Sequence, residues 1–264
     1  MMHFETISLS VDRRGVASLT LRRHAQHNAL SALMIRELAA VAGLIAEDAD
    51  IRVVVLTGEG ESFCAGGDLN WMKEQMAASR EQRMAEARKL ALMLKALRDL
   101  PKPLVARVNG QAYGGGVGLI SVCDAAVGVT DARFGLTETR LGLIPATISP
   151  YVIARIGASA ALRLFTSARF FDAAEAQRIG LLNGVVPLAT LDDATEAELR
   201  PYLAAAPAAV AAAKALVHGL SAPIDDATIE MTLTRLADTW ETPEAEEGIA
   251  AFLEKRKARW HETG

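Results

Sequence analysis

Apolar and polar residues alternate over positions 4–9 and again over 16–21, on either side of the polar run Asp12, Arg13, Arg14 and Gly15. This period of two predicts a β-hairpin. From Ser31 the period lengthens: Leu33, Leu38, Val41 and Ile45 recur at helical spacing behind a serine suited to N-capping, so an amphipathic helix is expected. The unbroken run Val53, Val54, Val55, Leu56 reads as a strand covered on both faces that ends at Thr57 and Gly58, with a glycine-bearing loop at 63–68 directly after it. A second helix over about 81–99 turns Met84, Ala91, Leu94 and Leu97 inward and stops at Pro101 and Pro103. A second buried strand, 104–108, then runs into Asn109 and Gly110.

The order strand, glycine loop, helix thus occurs twice, and such alternation favours an α/β fold whose strand ends feed functional loops. Past about residue 187 the strand signals stop. Ala-rich and amphipathic segments through Leu216, over 224–240 and over 243–260 predict a helical tail. The last helix opens on Thr242, Pro243, Glu244, Glu246 and Glu247 and is expected to close on Lys255, Arg256, Lys257 and Arg259, matching the helix dipole at both ends. With no Ser-, Gly- or Pro-rich linker before it, the tail is expected to dock, which divides the chain into a core over 1–190 and a helical region over 191–264.

Composition narrows the class without naming a chemistry. With 51% hydrophobic residues in 264, the chain can bury a sizeable core. The formal net charge of -4, with basic residues scattered among acidic ones, argues against a nucleic-acid partner. No apolar run reaches the roughly 18 residues needed to cross a bilayer, and the first residues lack a signal-peptide hydrophobic region; a cytoplasmic location and no membrane partner are expected. Cys64 and Cys123 cannot make a disulfide framework and are expected to be reduced, Cys64 buried beside Phe63. His24 and His27 have helix-compatible spacing but no further Cys or His cluster to complete a site, so they read as solvated, and no metal is expected.

Candidate chemistry begins at Gly114, Gly115 and Gly116, which precede an apolar helix expected over 117–123. Amides at a helix start lack intrahelical partners and lie at the positive end of the dipole, so they suit a developing negative charge, although three glycines equally suit close backbone packing. The loop Cys64, Ala65, Gly66, Gly67, Asp68 also places small residues after a buried strand, so two loops of exposed amides can converge on one oxygen.

These stretches, with 110–116, 134–138 and 141–145 in the same order, resemble the enoyl-CoA hydratase/isomerase (crotonase) family over essentially the whole chain. The resemblance implies a repeated ββα spiral core with a C-terminal helical region, an acyl-CoA substrate, and no cofactor beyond its CoA moiety. It also implies a homotrimer or dimer of trimers. By the same resemblance, the N–H groups of Gly67 and Gly115 form an oxyanion hole and Glu138 is a catalytic acid/base. Phe252 and Lys255 match a pattern in which the last helix covers the adenine end of CoA, and Ala65 and Asp68 belong to the CoA-binding loop. Trp71 and Met72, just after that loop, are candidates for the acyl pocket or for ordinary core.

The chain departs from the family at two places. Gly118 stands where two-glutamate hydratases carry their second glutamate, leaving three routes open: Glu138 with ordered water, a second group from elsewhere, or chemistry that needs one acid/base. The segment 146–150 replaces a more usual run of glycines. Residues 138–151 are nonetheless similar to bacterial methylglutaconyl-CoA hydratase-like members, which favours hydration of a branched or glutaconyl-type 2-enoyl-CoA over isomerisation. Arg140, two residues from Glu138, either tunes that carboxylate, meets a second carboxylate on the substrate, or is a surface arginine. Thioester hydrolysis and a catalytically silent acyl-CoA-binding protein are the other readings.

Overall fold

The computed structural model describes residues 4–261. In chain order the strands are β1 (Ile7–Val11), β2 (Val16–Leu21), β3 (Val53–Gly58), β4 (Ser62–Cys64), β5 (Leu104–Val108), β6 (Gln111–Tyr113), β7 (Ala125–Val129), β8 (Arg133–Gly135), β9 (Phe170–Asp172) and β10 (Gly184–Val186). The helices are α1 (Ala32–Glu47), α2 (Leu69–Ala77), α3 (Arg80–Arg98), α4 (Gly115–Ser121), α5 (Ser149–Ser167), α6 (Ala173–Arg178), α7 (Leu191–Ala204), α8 (Pro207–Leu220), α9 (Asp226–Trp240) and α10 (Pro243–Leu253).

Two sheets are built in step. The larger has the order β1-β2-β3-β5-β7-β10 and the smaller β4-β6-β8-β9. Each of three successive passes of the chain puts one strand in the large sheet and the next in the small one: β3 then β4, β5 then β6, β7 then β8. Helices intervene between passes, which is the expected ββα spiral.

The run at 53–56 is covered on both faces, as its β-branched composition predicts. Period-two alternation sends Val53 and Val55 toward Leu199 and the ring of Tyr202 on α7, and Val54 and Leu56 into the main core with α1. Ser31 caps α1 by accepting from the Met34 N–H. Ser79 and Gln82 form a reciprocal capping box that starts α3. Strands end at β10, as the loss of strand signal near 187 anticipates. The helical tail packs on the core: α9 meets α3 through Ile229, Leu233, Ala87 and Ala91, and α10 meets the segment around Leu143 through Ala245 and Ile249.

Three expectations are corrected. The glycine loops do not leave the long buried strands β3 and β5 directly; each is preceded by a three-residue strand of the small sheet, β4 or β6. Such strands are too short to show a period. The last helix ends at Leu253, before its basic cluster. Lys255 adopts a left-handed φ of 55°, its N–H donates to the Phe252 carbonyl and the Arg256 N–H donates to that of Ala251, a Schellman stop made without glycine. Lys255, Arg256, Lys257 and Arg259 therefore follow the helix instead of forming its last turn. Similarly, α4 starts at Gly115, so two of the three glycines are helical.

Candidate active site

The small sheet decides where the loops meet. Strands β4, β6 and β8 are adjacent and parallel, so their carboxyl ends lie along one edge at the usual strand spacing of about 4.8 Å. From that edge emerge the loop holding Gly66 and Gly67, the turn holding Gly114 and Gly115, and the segment leading to Glu138. Residues 67, 115 and 138 lie at one end of the small sheet because they follow three neighbouring parallel strands.

Leu30 orients the first loop. Its N–H donates to the Gly66 carbonyl and its carbonyl accepts from the Asp68 N–H, the pattern of a parallel bridge opposite Gly67. Because backbone groups alternate in direction, the Gly67 N–H points away from Leu30. Asp68 then caps α2, accepting from the N–H groups of Asn70 and Trp71, while Arg23 donates to its other oxygen at 2.8 Å. Burial pushes the Asp68 carboxyl up, but the Arg23 hydrogen bond and those two N–H groups outweigh it and hold it below the ordinary range. These commitments make Asp68 the anchor of the loop. The Ala65 N–H is likewise taken, by the His27 carbonyl.

The second loop turns at Gly114, whose φ of 46° and ψ of -112° suit glycine alone. Gly115 is the first residue of α4, so its N–H has no intrahelical acceptor. Among the described residues, no hydrogen bond takes the N–H of Gly67 or of Gly115. The two loops touch: a Cβ on Gly66 would lie 2.9 Å from the Tyr113 carbonyl oxygen and 3.8 Å from the Gly115 nitrogen, and one on Gly116 would lie 2.2 Å from the Cys64 oxygen. Close backbone packing and open amides are thus two results of the same glycines.

Glu138 begins a 3-10 turn, Glu138–Leu141, closed by Gly142 in the left-handed region. The Leu143 N–H donates to the Glu138 carbonyl and the Thr139 hydroxyl to the Phe165 carbonyl of α5. A Cβ on Gly114 would stand 2.9 Å from Glu138 Oε1, so the bare glycine is what lets the carboxylate lie beside the second loop. Glu138 Oε2 is buried without a hydrogen-bond partner. Burial drives the carboxyl up to about 7, against a smaller downward pull from its own backbone. A group titrating there can take and return a proton at neutral pH.

Arg140 is exposed, with its guanidinium 4.9 Å from the centre of the Phe170 ring. The rise at Glu138 comes from burial, not from this arginine. Gly118 faces Ile148: a Cβ there would meet Ile148 Cγ2 at 2.7 Å and Leu94 Cδ1 at 3.8 Å. Trp71 and Met72 lie on α2 beside Gly67, each 3.8 Å from where its Cβ would be. Gln75, one turn further along α2, is buried and was not singled out in the sequence, because an isolated glutamine carries no motif. Phe252 is exposed on the last turn of α10 and Lys255 lies just beyond it. Cys64 and Cys123 are buried, and burial pushes both thiols up to about 12, which keeps them protonated. His24 and His27 are exposed, His27 Nδ1 lying 3.0 Å from the Ser62 hydroxyl.

The family model for enoyl-CoA hydratase/isomerase matches residues 12–263. The short-chain-enoyl-CoA hydratase of Clostridium acetobutylicum is 34% identical over 249 residues, 92% of each chain. A crystal structure of an enoyl-CoA hydratase from Shewanella pealeana superposes with a TM-score of 0.80 at 36% identity, covering 97% of this chain and 96% of that one. One from Mycobacterium smegmatis gives 0.79 at 36% identity, covering 97% and 99%. Two open amides and a buried carboxylate at the edge of a ββα spiral, with a match across nearly the whole chain, make this protein a member of the enoyl-CoA hydratase/isomerase family.

Proposed function

We propose that the protein adds water across the double bond of a 2-enoyl-CoA of branched or glutaconyl type. The observation that carries this reading is the delivery of two free N–H groups and one near-neutral carboxyl by three adjacent parallel strands. The Gly67 and Gly115 N–H groups hold the thioester oxygen. Glu138 takes a proton from water as the water oxygen bonds to C3, and the displaced double-bond electrons move through C2 onto the thioester oxygen as an enolate. Collapse of the enolate bonds C2 to a proton returned by Glu138, so one carboxyl completes the addition. Each amide of such a hole typically contributes about a hundredfold or more in rate. The reaction needs no cofactor beyond the CoA of its substrate.

Support for hydration over other acyl-CoA chemistry comes from the hydratase names of similar proteins. Gly118 favours a second reading, isomerisation, because apolar Ile148 and Leu94 stand where a second acid would project. We extend the proposal to CoA held by Ala65, Phe252 and Lys255 and to assembly as a trimer or dimer of trimers. The assembly is supported by the exposed Leu216, Val217 and Leu220 of α8, a helix with no buried residue.

The test is purified protein with crotonyl-CoA, 3-methylcrotonyl-CoA and 3-methylglutaconyl-CoA, with products followed by mass. Hydration raises the mass by one water. An unchanged mass with a shifted double bond establishes isomerisation instead, release of free CoA establishes hydrolysis, and binding without turnover of any of the three leaves a silent binder.

A further inference from the structure

Four buried side-chain polar atoms lack a hydrogen-bond partner among the described residues: Trp71 Nε1, Gln75 Oε1, Glu138 Oε2 and Glu230 Oε1. Glu230 is paired with the Arg88 guanidinium, so its charge is met. The other three belong to the surroundings of the site. Buried polar atoms are almost always satisfied by protein, ordered water or ligand, so bare ones beside a site mark where a polar group of the ligand is accommodated.

Helix α2 carries two of the three. Asp68, next to Gly67, caps its start, and Met76 near its end packs in the cluster of Leu143 with Leu141, the last residue of the Glu138 turn. The helix therefore runs from the first amide loop toward the Glu138 turn. Trp71 and Gln75 are four residues apart and share one face. Trp71 rests beside Gly67. Gln75 is only 5% exposed and lies seven residues, on the order of 10 Å of helix rise, beyond Asp68.

We infer that Trp71 and Gln75 form a polar subsite that recognises an oxygen acceptor, such as a carboxylate, carried by the far end of the acyl chain. The indole N–H can only donate, which fixes the ligand atom as an acceptor. The bare Gln75 atom is its Oε1, and the amide can turn end for end about its last bond to put the NH2 there instead, one helical turn from the indole N–H. A purely aliphatic chain would leave both groups bare. This assignment rests on the acyl-CoA reading and deepens it: the acyl group is a diacid or another oxygen-bearing chain.

Saturated thioesters separate the subsite from the chemistry. Glutaryl-CoA and valeryl-CoA have equal carbon chains, differ by the terminal carboxylate, and have no double bond to hydrate. By calorimetry, glutaryl-CoA should bind wild-type protein at least about tenfold more tightly, and Trp71→Phe and Gln75→Met should each cut that preference several-fold. Gln75→Met should also raise the Tm of the free protein by about 2–4 °C, because a bare buried amide is removed. Equal binding of the two thioesters, a preference that survives both substitutions, or a fall in Tm showing that Gln75 is a structural contact would each overturn the inference. If neither thioester binds, the acyl-CoA reading falls and takes the subsite with it. If the preference holds but no enoyl-CoA is turned over, the proposed reaction alone fails.

Discussion

Glu138 is placed where its charge is expensive, and that expense is what tunes it. Burial raises the carboxyl from 4.5 to about 7, so the folded protein favours the neutral form. The stability gained this way is complete below pH 4.5 and is lost as pH rises through 7, a change on the order of 3 kcal/mol. Chemical denaturation at pH 5 and pH 8 should show this loss in wild type and its absence in Glu138→Gln. In the proposed reaction the same residue is the base, so kcat/KM should climb with pH through about 7 and level off above it, as expected of a base that must be ionised. A profile that falls over that range would assign the work to another group. Glu138→Gln should lower kcat by roughly 10²–10⁴-fold while calorimetry shows acyl-CoA binding retained.

Among the elements, α4 is the one whose sequence departs from the two-glutamate pattern, and its packing has adapted. Gly118 leaves room that Ile148 at the start of α5 fills, with Leu94 of α3 behind it. Gly118→Ala should destabilise by about 1–3 kcal/mol through overpacking. Ile148→Ala should cost about 2–5 kcal/mol through the cavity it opens. The double variant should lose about 0.5–3 kcal/mol less than the sum, because each change makes room for or fills the other. Strict additivity in urea denaturation would mean that the two side chains do not share the space. The pairing also bears on chemistry: an acid could return at 118 only together with a smaller residue at 148.

At the scale of the whole molecule, the C-terminal helix holds the site from outside. Gly142 has no room for a Cβ, which would meet the Glu244 carbonyl carbon at 2.4 Å, and one on Gly248 would meet the Leu141 carbonyl carbon at 2.5 Å. Helix α10 thus lies directly on the backbone of the Glu138 turn. Gly248→Ala should push that turn and lower kcat at least about tenfold, with a smaller change in KM, since a shift near 1 Å costs on the order of a hundredfold. Gly43→Ala offers the contrast. Nothing lies within 4 Å of the added methyl on the exposed face of α1, so stability should rise by about 0.5–1 kcal/mol with kinetics unchanged. Steady-state kinetics and thermal melts on both variants decide the matter.

Local pattern settled much by itself. Hydrophobic period and capping residues located the hairpin, α1, β3, α3, β5 and the helical tail, because each element is long enough to repeat its period or carries its own stop signal. Glycine spacing pointed to two loops of open amides, and the family resemblance of the ordered motifs singled out Gly67 and Gly115 within them and Glu138 beyond them. Tertiary structure decided the rest. Strands β4, β6 and β8 are three residues each and exist only as members of the small sheet, so no local pattern could reveal that they align the three site loops. The end of α10 at Leu253 depends on Lys255 adopting a left-handed turn, against the preference of its side chain. Whether Glu138 titrates near neutrality, whether Gly118 opens or is filled, and whether Trp71 and Gln75 keep a partner all depend on which distant atoms surround them. Burial and desolvation are properties of the folded neighbourhood, and a sequence carries them only after the chain has closed on itself.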